Sequence, residues 1–251
     1  MVTSIHFQHN GRSYEVAVKR EQRMDYRLKI KKSGGLVASI PKRASLKSLE
    51  DFLEHSRAEI GKYLDRVSAY ANQTPKYTFS EGEYITIAER PFRVVKAAIK
   101  PGHKLKAAVD EKRLEIHIYS GTKLNESPSA TYEQQAAEAV EEALMVFSKT
   151  WFARRVQYYG QRMSLQPSAV KISRAKTRYG SCSSRGSLNF CWRILLAPQF
   201  IADYIVVHEL AHLAHLNHSK AFYSVVESAM PDYRNAQNWL KKNAALLEWP
   251  V

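Results

Sequence analysis

Cysteine is scarce: Cys182 and Cys191 are the only two in 251 residues, and they form no CxxC pair. The sequence therefore offers neither a disulfide framework nor a cysteine-based structural zinc site, and each thiol reads most simply as a small buried side chain. No apolar run is long enough to span a bilayer, and residues 1–14 lack the apolar core of a signal peptide, so a cytoplasmic protein with no membrane partner is expected. There is no phosphate-binding glycine loop, no carboxylate cluster suited to magnesium, no internal repeat and no low-complexity tract. Acidic residues are missing from one long stretch. From Lys149 to Arg193 the chain has ten basic residues (Lys149, Arg154, Arg155, Arg162, Lys171, Arg174, Lys176, Arg178, Arg185 and Arg193) and no Asp or Glu, within a net charge of +14. Such a field would attract nucleic acid, nucleotides or acidic protein segments, and the alternative is a solvated basic face with no partner.

What the chain does contain is His208-Glu209-Leu210-Ala211-His212, followed by His218. Residues four apart share a helix face, so His208 and His212 can reach one metal while Glu209 projects elsewhere. At this chain's His and Glu frequencies, HExxH arises by accident roughly 0.02 times, which makes chance a poor explanation. A catalytic zinc takes three protein ligands and keeps one position for water. His218 is the best third ligand, ahead of Glu227 and then His215. The interval to His218 equals that of HExxHxxGxxH, but His215 stands where that pattern has glycine. Glu209 is placed to act as general base. For the oxyanion, Arg178, His215 and Tyr223 are candidates, and Arg178, Asn189 and Tyr223 are candidate substrate contacts.

The surrounding chain suits a rigid mount. Pro198 and Gln199 open a helix whose apolar residues, Phe200, Ile201, Tyr204, Ile205, Val206, Val207, Leu210, Ala211 and Leu213, are dense enough to bury most of it. Asn217 can end this helix in a left-handed conformation and Ser219 can cap the next. Upstream, residues 13–19, 26–31 and 36–40 read as strands, with a hairpin turn at Lys32-Ser33-Gly34-Gly35. From the N-cap Ser45, a stripe of Leu46, Leu49, Leu53, Ile60, Leu64 and Val67 predicts one helix to about Ala71. Residues 84–88, 92–98, 104–109 and 113–119 resemble an antiparallel meander, turning at Glu89-Arg90-Pro91, Pro101-Gly102 and Asp110-Glu111. Residues 121–129 are the linker candidate. Beyond them, Val140, Leu144, Phe147 and Trp151 mark a long helix, and residues 169–173 and 188–194 are strands flanking the loop 177–186. The expected fold is α+β: a β-rich part with one long helix over 1–124, then a helix-rich metal-binding part with a small sheet over 125–251.

Arg178-Tyr179-Gly180-Ser181-Cys182-Ser183-Ser184-Arg185-Gly186, Leu188-Asn189-Phe190-Cys191-Trp192-Arg193, Ala197-Pro198, the HELAH helix, Asn217-His218-Ser219 and Phe222 occur here in one order. That order resembles the YgjP-like metallopeptidase domain, relatives of the SprT-like proteases, with Tyr179 standing where tryptophan is common. The resemblance covers most of the chain and more loosely its start. It implies a zincin-like second part, a single zinc on His208, His212 and His218, and Glu209 as base. It also implies that a strand beside the metal helix, residues 188–194, pairs with an extended substrate. The expected function is a zinc-dependent metallopeptidase acting on protein, including protein held near nucleic acid. A nucleotide phosphohydrolase using the arginines is the first alternative, and a non-catalytic nucleic-acid-binding protein the second.

Overall fold

The computed structural model describes residues 3–31, 35–99, 104–121 and 130–250. The expected turns at Lys32-Ser33-Gly34 and Pro101-Gly102 and the linker over 122–129 lie outside the described residues. The architecture is α+β, with three small mixed sheets and six α-helices among the described residues. No described helix is long and apolar enough to cross a membrane. By packing, the chain divides into two compact units, Met1–Thr74 and Pro75–Val251.

In the first unit, β1 (Thr3–His9), β2 (Arg12–Glu21), β3 (Arg27–Ile30) and β4 (Leu36–Pro41) form a sheet in the order β1-β2-β4-β3. Alternation sets which side chains are buried, so Val16, Val18, Leu36, Ala38 and Ile40 line one face. Two helices, α1 (Leu46–His55) and α2 (Arg57–Gln73), supply Leu49, Leu53, Ile60 and Leu64 to the same core. Ser45 caps α1 as expected, its hydroxyl accepting from Ser48 N. One helix was expected where there are two, because the apolar period continues unbroken past Ser56, where φ −91° and ψ 6° interrupt the helix.

The second unit begins with β5 (Tyr84–Ile87), β6 (Arg90–Ala98), β7 (Lys106–Asp110) and β8 (Glu115–Ser120), in the order β5-β6-β8-β7. The meander expectation is corrected here: β6 and β8 run parallel. Alternation fixes a strand's buried face but not its neighbour. This sheet repeats the topology and register of the first. Each opens with a hairpin turned by two residues of positive φ, Asn10 and Gly11 in one and Ala88 and Glu89 in the other. Four residues after the arginine that follows each turn, Val16 pairs with Leu36 and Val94 with Ile116. No repeat was read from the sequence, since only the pattern Arg-x-Tyr/Phe-x-Val survives in both copies.

The 34-residue helix α3 (Ala130–Met163) is buried along much of its length. Its Val140, Leu144 and Phe152 share one core with Ile85, Phe92, Val94, Ile116 and Ile118. Segment 75–121, which composition grouped with the N-terminal part, therefore packs with the later helices. A second sheet follows, with β9 (Ala169–Ser173), β10 (Gly180–Cys182) and β11 (Ser187–Cys191) in the order β10-β11-β9. The strand expected over 188–194 ends at Cys191, and Trp192–Leu196 is a 3-10 turn. Helices α4 (Gln199–Ala211), α5 (Lys220–Ala229) and α6 (Tyr233–Asn243) complete the unit.

Candidate metal centre

Helix α4 starts at Gln199, as the sequence implied, but ends at Ala211 with His212 as its C-cap. Asn217 is not left-handed and does not terminate the helix. Ile201, Ala202, Val206, Val207 and Leu210 are fully buried, whereas Phe200 turns outward. Arg155 of α3 donates twice to the buried Asp203 carboxylate, at 2.7 Å each, tying α4 to α3. The helix is thus fixed by packing on most sides and by a two-pronged ion pair.

On this mount His208 and His212 lie on one face, their ring centroids 4.9 Å apart, and His218 folds back to 5.0 Å from the first and 4.8 Å from the second. The fold-back is set by α5. Ser219 caps α5 by accepting from Phe222 N at 3.3 Å, and the buried Phe222 ring packs against all three imidazoles at 4.6–4.9 Å. Phe222 is a floor beneath the triad. The sequence marked Phe222 as part of the family-like order of motifs but gave it no role.

The outer nitrogens are engaged elsewhere. His212 Nδ1–H donates to the His215 carbonyl at 3.0 Å, which leaves the Nε2 lone pair facing inward. His208 Nδ1 meets the Tyr204 hydroxyl at 3.3 Å, and that oxygen also accepts from Gln237 Nε2 at 3.1 Å. Tyr204 stands four residues before His208, so the same-face rule could have singled it out; Gln237, on α6, carries no such signal. Burial pushes His208 down to about 4, helped by repulsion from His212 and His218, and His212 is lowered chiefly by burial. Neutral imidazoles are what a divalent cation requires.

The donor set fits a metal. His208, His212 and His218 form a group whose ligand atoms all lie within 4.8 Å of one another. Nε2 of His208 and Nε2 of His218 are 3.0 Å apart. Two imidazoles on a tetrahedral zinc sit about 3.4 Å apart, so small ring movements suffice to meet one ion. Neither alternative ligand joins the group. Exposed Glu227 pairs with Arg234 at 3.2 Å, and His215 enters through its backbone carbonyl.

Glu209 leaves the helix on another side, against Gly180 of β10. It is buried, and Oε2 has no hydrogen-bond partner among the described residues. Burial pushes its carboxyl up to about 7, against a smaller pull from Arg178. Arg178 is exposed and acts on Glu209 through its charge, while Tyr223 stands 6.2 Å from His218 and stacks on Tyr233. Asn189 is not brought to the site: it pairs with Ser181, and side chains alternate, so both point to the sheet face away from Gly180 and Glu209.

Two expectations change with the sheet and the charges. The strand at 188–194 cannot take a substrate on its edge, because β11 is central, with β10 on one side and β9 on the other. The edge beside α4 is β10. The basic stretch is partly neutralised within the fold. Three of its ten cations meet a carboxylate, Arg154 with Glu111 at 2.8 Å, Arg155 with Asp203 and Arg174 with Glu141 at 3.4 Å; Arg193 keeps its charge but is buried and donates to the Ala175 carbonyl. Charges counted along the chain overstate what is free to bind a polyanion.

A family model described as YgjP-like, metallopeptidase domain, matches residues 24–243. No curated protein matches the chain. Among solved structures, that of the metallopeptidase zymogen of Pyrococcus abyssi abylysin is similar at 22% identity, over 36% of this chain and 93% of that one, with a TM-score of 0.34.

Proposed function

The chain belongs to the YgjP-like metallopeptidase domain family, and on that premise we propose that His208, His212 and His218 hold one zinc ion and that Glu209 is the general base of peptide hydrolysis. The observation that carries this is the convergence of three imidazoles beside a buried carboxylate whose Oε2 has no partner among the described residues. Zinc, when bound, supplies Lewis acidity that lowers the pKa of a water and polarises a carbonyl.

The chain's own groups do the rest. Glu209 accepts a proton from water and returns it to the departing amine. Burial keeps it from being solvated and so preserves its basicity. The substrate is an extended peptide laid along β10. Tyr179, Ser181 and Ser183 face β11, as Cys191 N→Tyr179 O at 2.8 Å and Ser183 N→Ser187 O at 2.9 Å require. Gly180 and Cys182 consequently turn their backbone N–H and C=O to the open edge, above Glu209. Arg178 and Tyr223 flank this position, one by its charge on Glu209 and one beside His218, and are the groups available for the developing oxyanion. The nucleotide-hydrolase alternative and a nucleic-acid partner both drew on the basic stretch, and its internal pairing leaves them less support.

The test is Glu209→Gln with metal analysis and an unfolded protein substrate. One zinc per chain is expected to remain while cleavage falls about a hundredfold or more. Cleavage at the wild-type rate would remove Glu209 from the mechanism.

A further inference from the structure

Gly180 is absent from the positive-φ glycines, which among the described residues are Gly11, Gly82 and Gly186, so its backbone does not call for glycine. Space does. A Cβ at this position would lie 2.7 Å from Glu209 Cγ and 2.8 Å from Cδ, with Oε1 nearer still. Real Cβ atoms do not approach other heavy atoms so closely, so one partner must give way. The obstruction differs in kind from that at Gly160, where the added atom would strike the Leu165 carbonyl of the backbone. At Gly180 the three nearest atoms all belong to the outer half of one side chain. A backbone clash threatens the fold, whereas a side-chain clash moves the side chain.

We propose that Gly180 is a positioning residue: its missing Cβ forms the slot in which the Glu209 carboxylate is held between β10 and α4, under the strand edge that receives substrate. This rests on the reading of Glu209 as base. The slot explains how a carboxylate whose Oε2 has no hydrogen-bond partner among the described residues can be pressed against a strand. Cys182, two residues along on the same sheet face, borders the same space and its thiol is raised by burial and then by Glu209. Filling the slot leaves the histidines, Phe222 and the β10 edge intact and displaces only the base.

Gly180→Ala is therefore expected to fold, to bind one zinc and to keep KM within about twofold, while kcat falls about a hundredfold, the cost of a misplacement near 1 Å. The same alanine in a Glu209→Asp background, where the shorter side chain vacates the slot, should change kcat less than about twofold. A second readout needs no activity. In metal-free protein, Gly180→Ala lowers the unfolding midpoint with Glu209 present and leaves it unchanged in a Glu209→Ala background. Equal losses in both backgrounds, by either readout, would mean a general strand defect and overturn the proposal, as would a wild-type kcat for Gly180→Ala. Failure of the base reading is separate, since it appears as cleavage by Glu209→Gln.

Discussion

If Glu209 is held for chemistry at the expense of the fold, Glu209→Gln should make the metal-free protein more stable, and increasingly so as pH rises. An unfolded chain releases this proton around the ordinary value of 4.5, whereas the folded chain keeps it to about 7. The folded pKa is raised, so the native state binds more protons than the unfolded state between those values, and stability drains away as pH climbs through that window. The gap between them corresponds to about 3 kcal/mol, fully lost above about pH 7. Glutamine has nothing to titrate. Its own cost, an amide buried without partners, is independent of pH and cancels when two pH values are compared. His208 and His212 titrate in both proteins and cancel as well. Denaturant unfolding of chelator-treated protein at about pH 5 and about pH 8.5 should show the variant's advantage widening by about 2 kcal/mol. Zinc should narrow it, because a nearby dication favours the ionised carboxylate. A difference between the two proteins that stays flat with pH would refute the idea that Glu209 is buried uncompensated.

Two further outcomes follow from the supports of the site. Tyr204→Phe keeps the ring but removes the oxygen that meets His208 Nδ1 and Gln237; zinc affinity should fall about 10–100-fold in chelator competition with unfolding nearly unchanged, and unaltered affinity would deny Tyr204 an orienting role. Arg155→Met strands Asp203, whose side chain is 7% exposed, as a buried charge; a loss of about 3 kcal/mol or more in denaturant unfolding is expected, and a loss under about 1 kcal/mol would show that the pair adds little to fixing α4.

The histidine group was legible because the i,i+4 rule converts spacing directly into a shared face, and the pairing of His208 with His212 needs nothing more. His218 required an assumption about a turn, and the turn came out differently: the helix ends at His212, not Asn217. The reason is local. Leu213, Ala214 and His215 bond back to Leu210 and Ala211 in a tightening last turn, which the apolar pattern through Leu213 concealed. Strand positions were similarly visible from alternation, while partners were not, so a parallel β6–β8 pair passed for a meander and central β11 passed for an edge. Alternation is a property of one strand; order is a property of the connections. The repeat of the first sheet in the second escaped for the same reason, since register is preserved where sequence is not.

Gly180 shows the deeper limit. In sequence it is one of ten glycines, in a loop segment where glycine invites a turn. In the structure it adopts no unusual φ, and its reason lies across space on another element. Such a residue cannot be found from propensity, because propensity describes what the backbone tolerates, and here the backbone tolerates a side chain. Sites built by exclusion are therefore silent in a single sequence, and sites built by donation, such as three imidazoles, are audible. The proposed general base depends on both kinds at once: α4 supplies Glu209, and β10 withholds the one atom that would displace it.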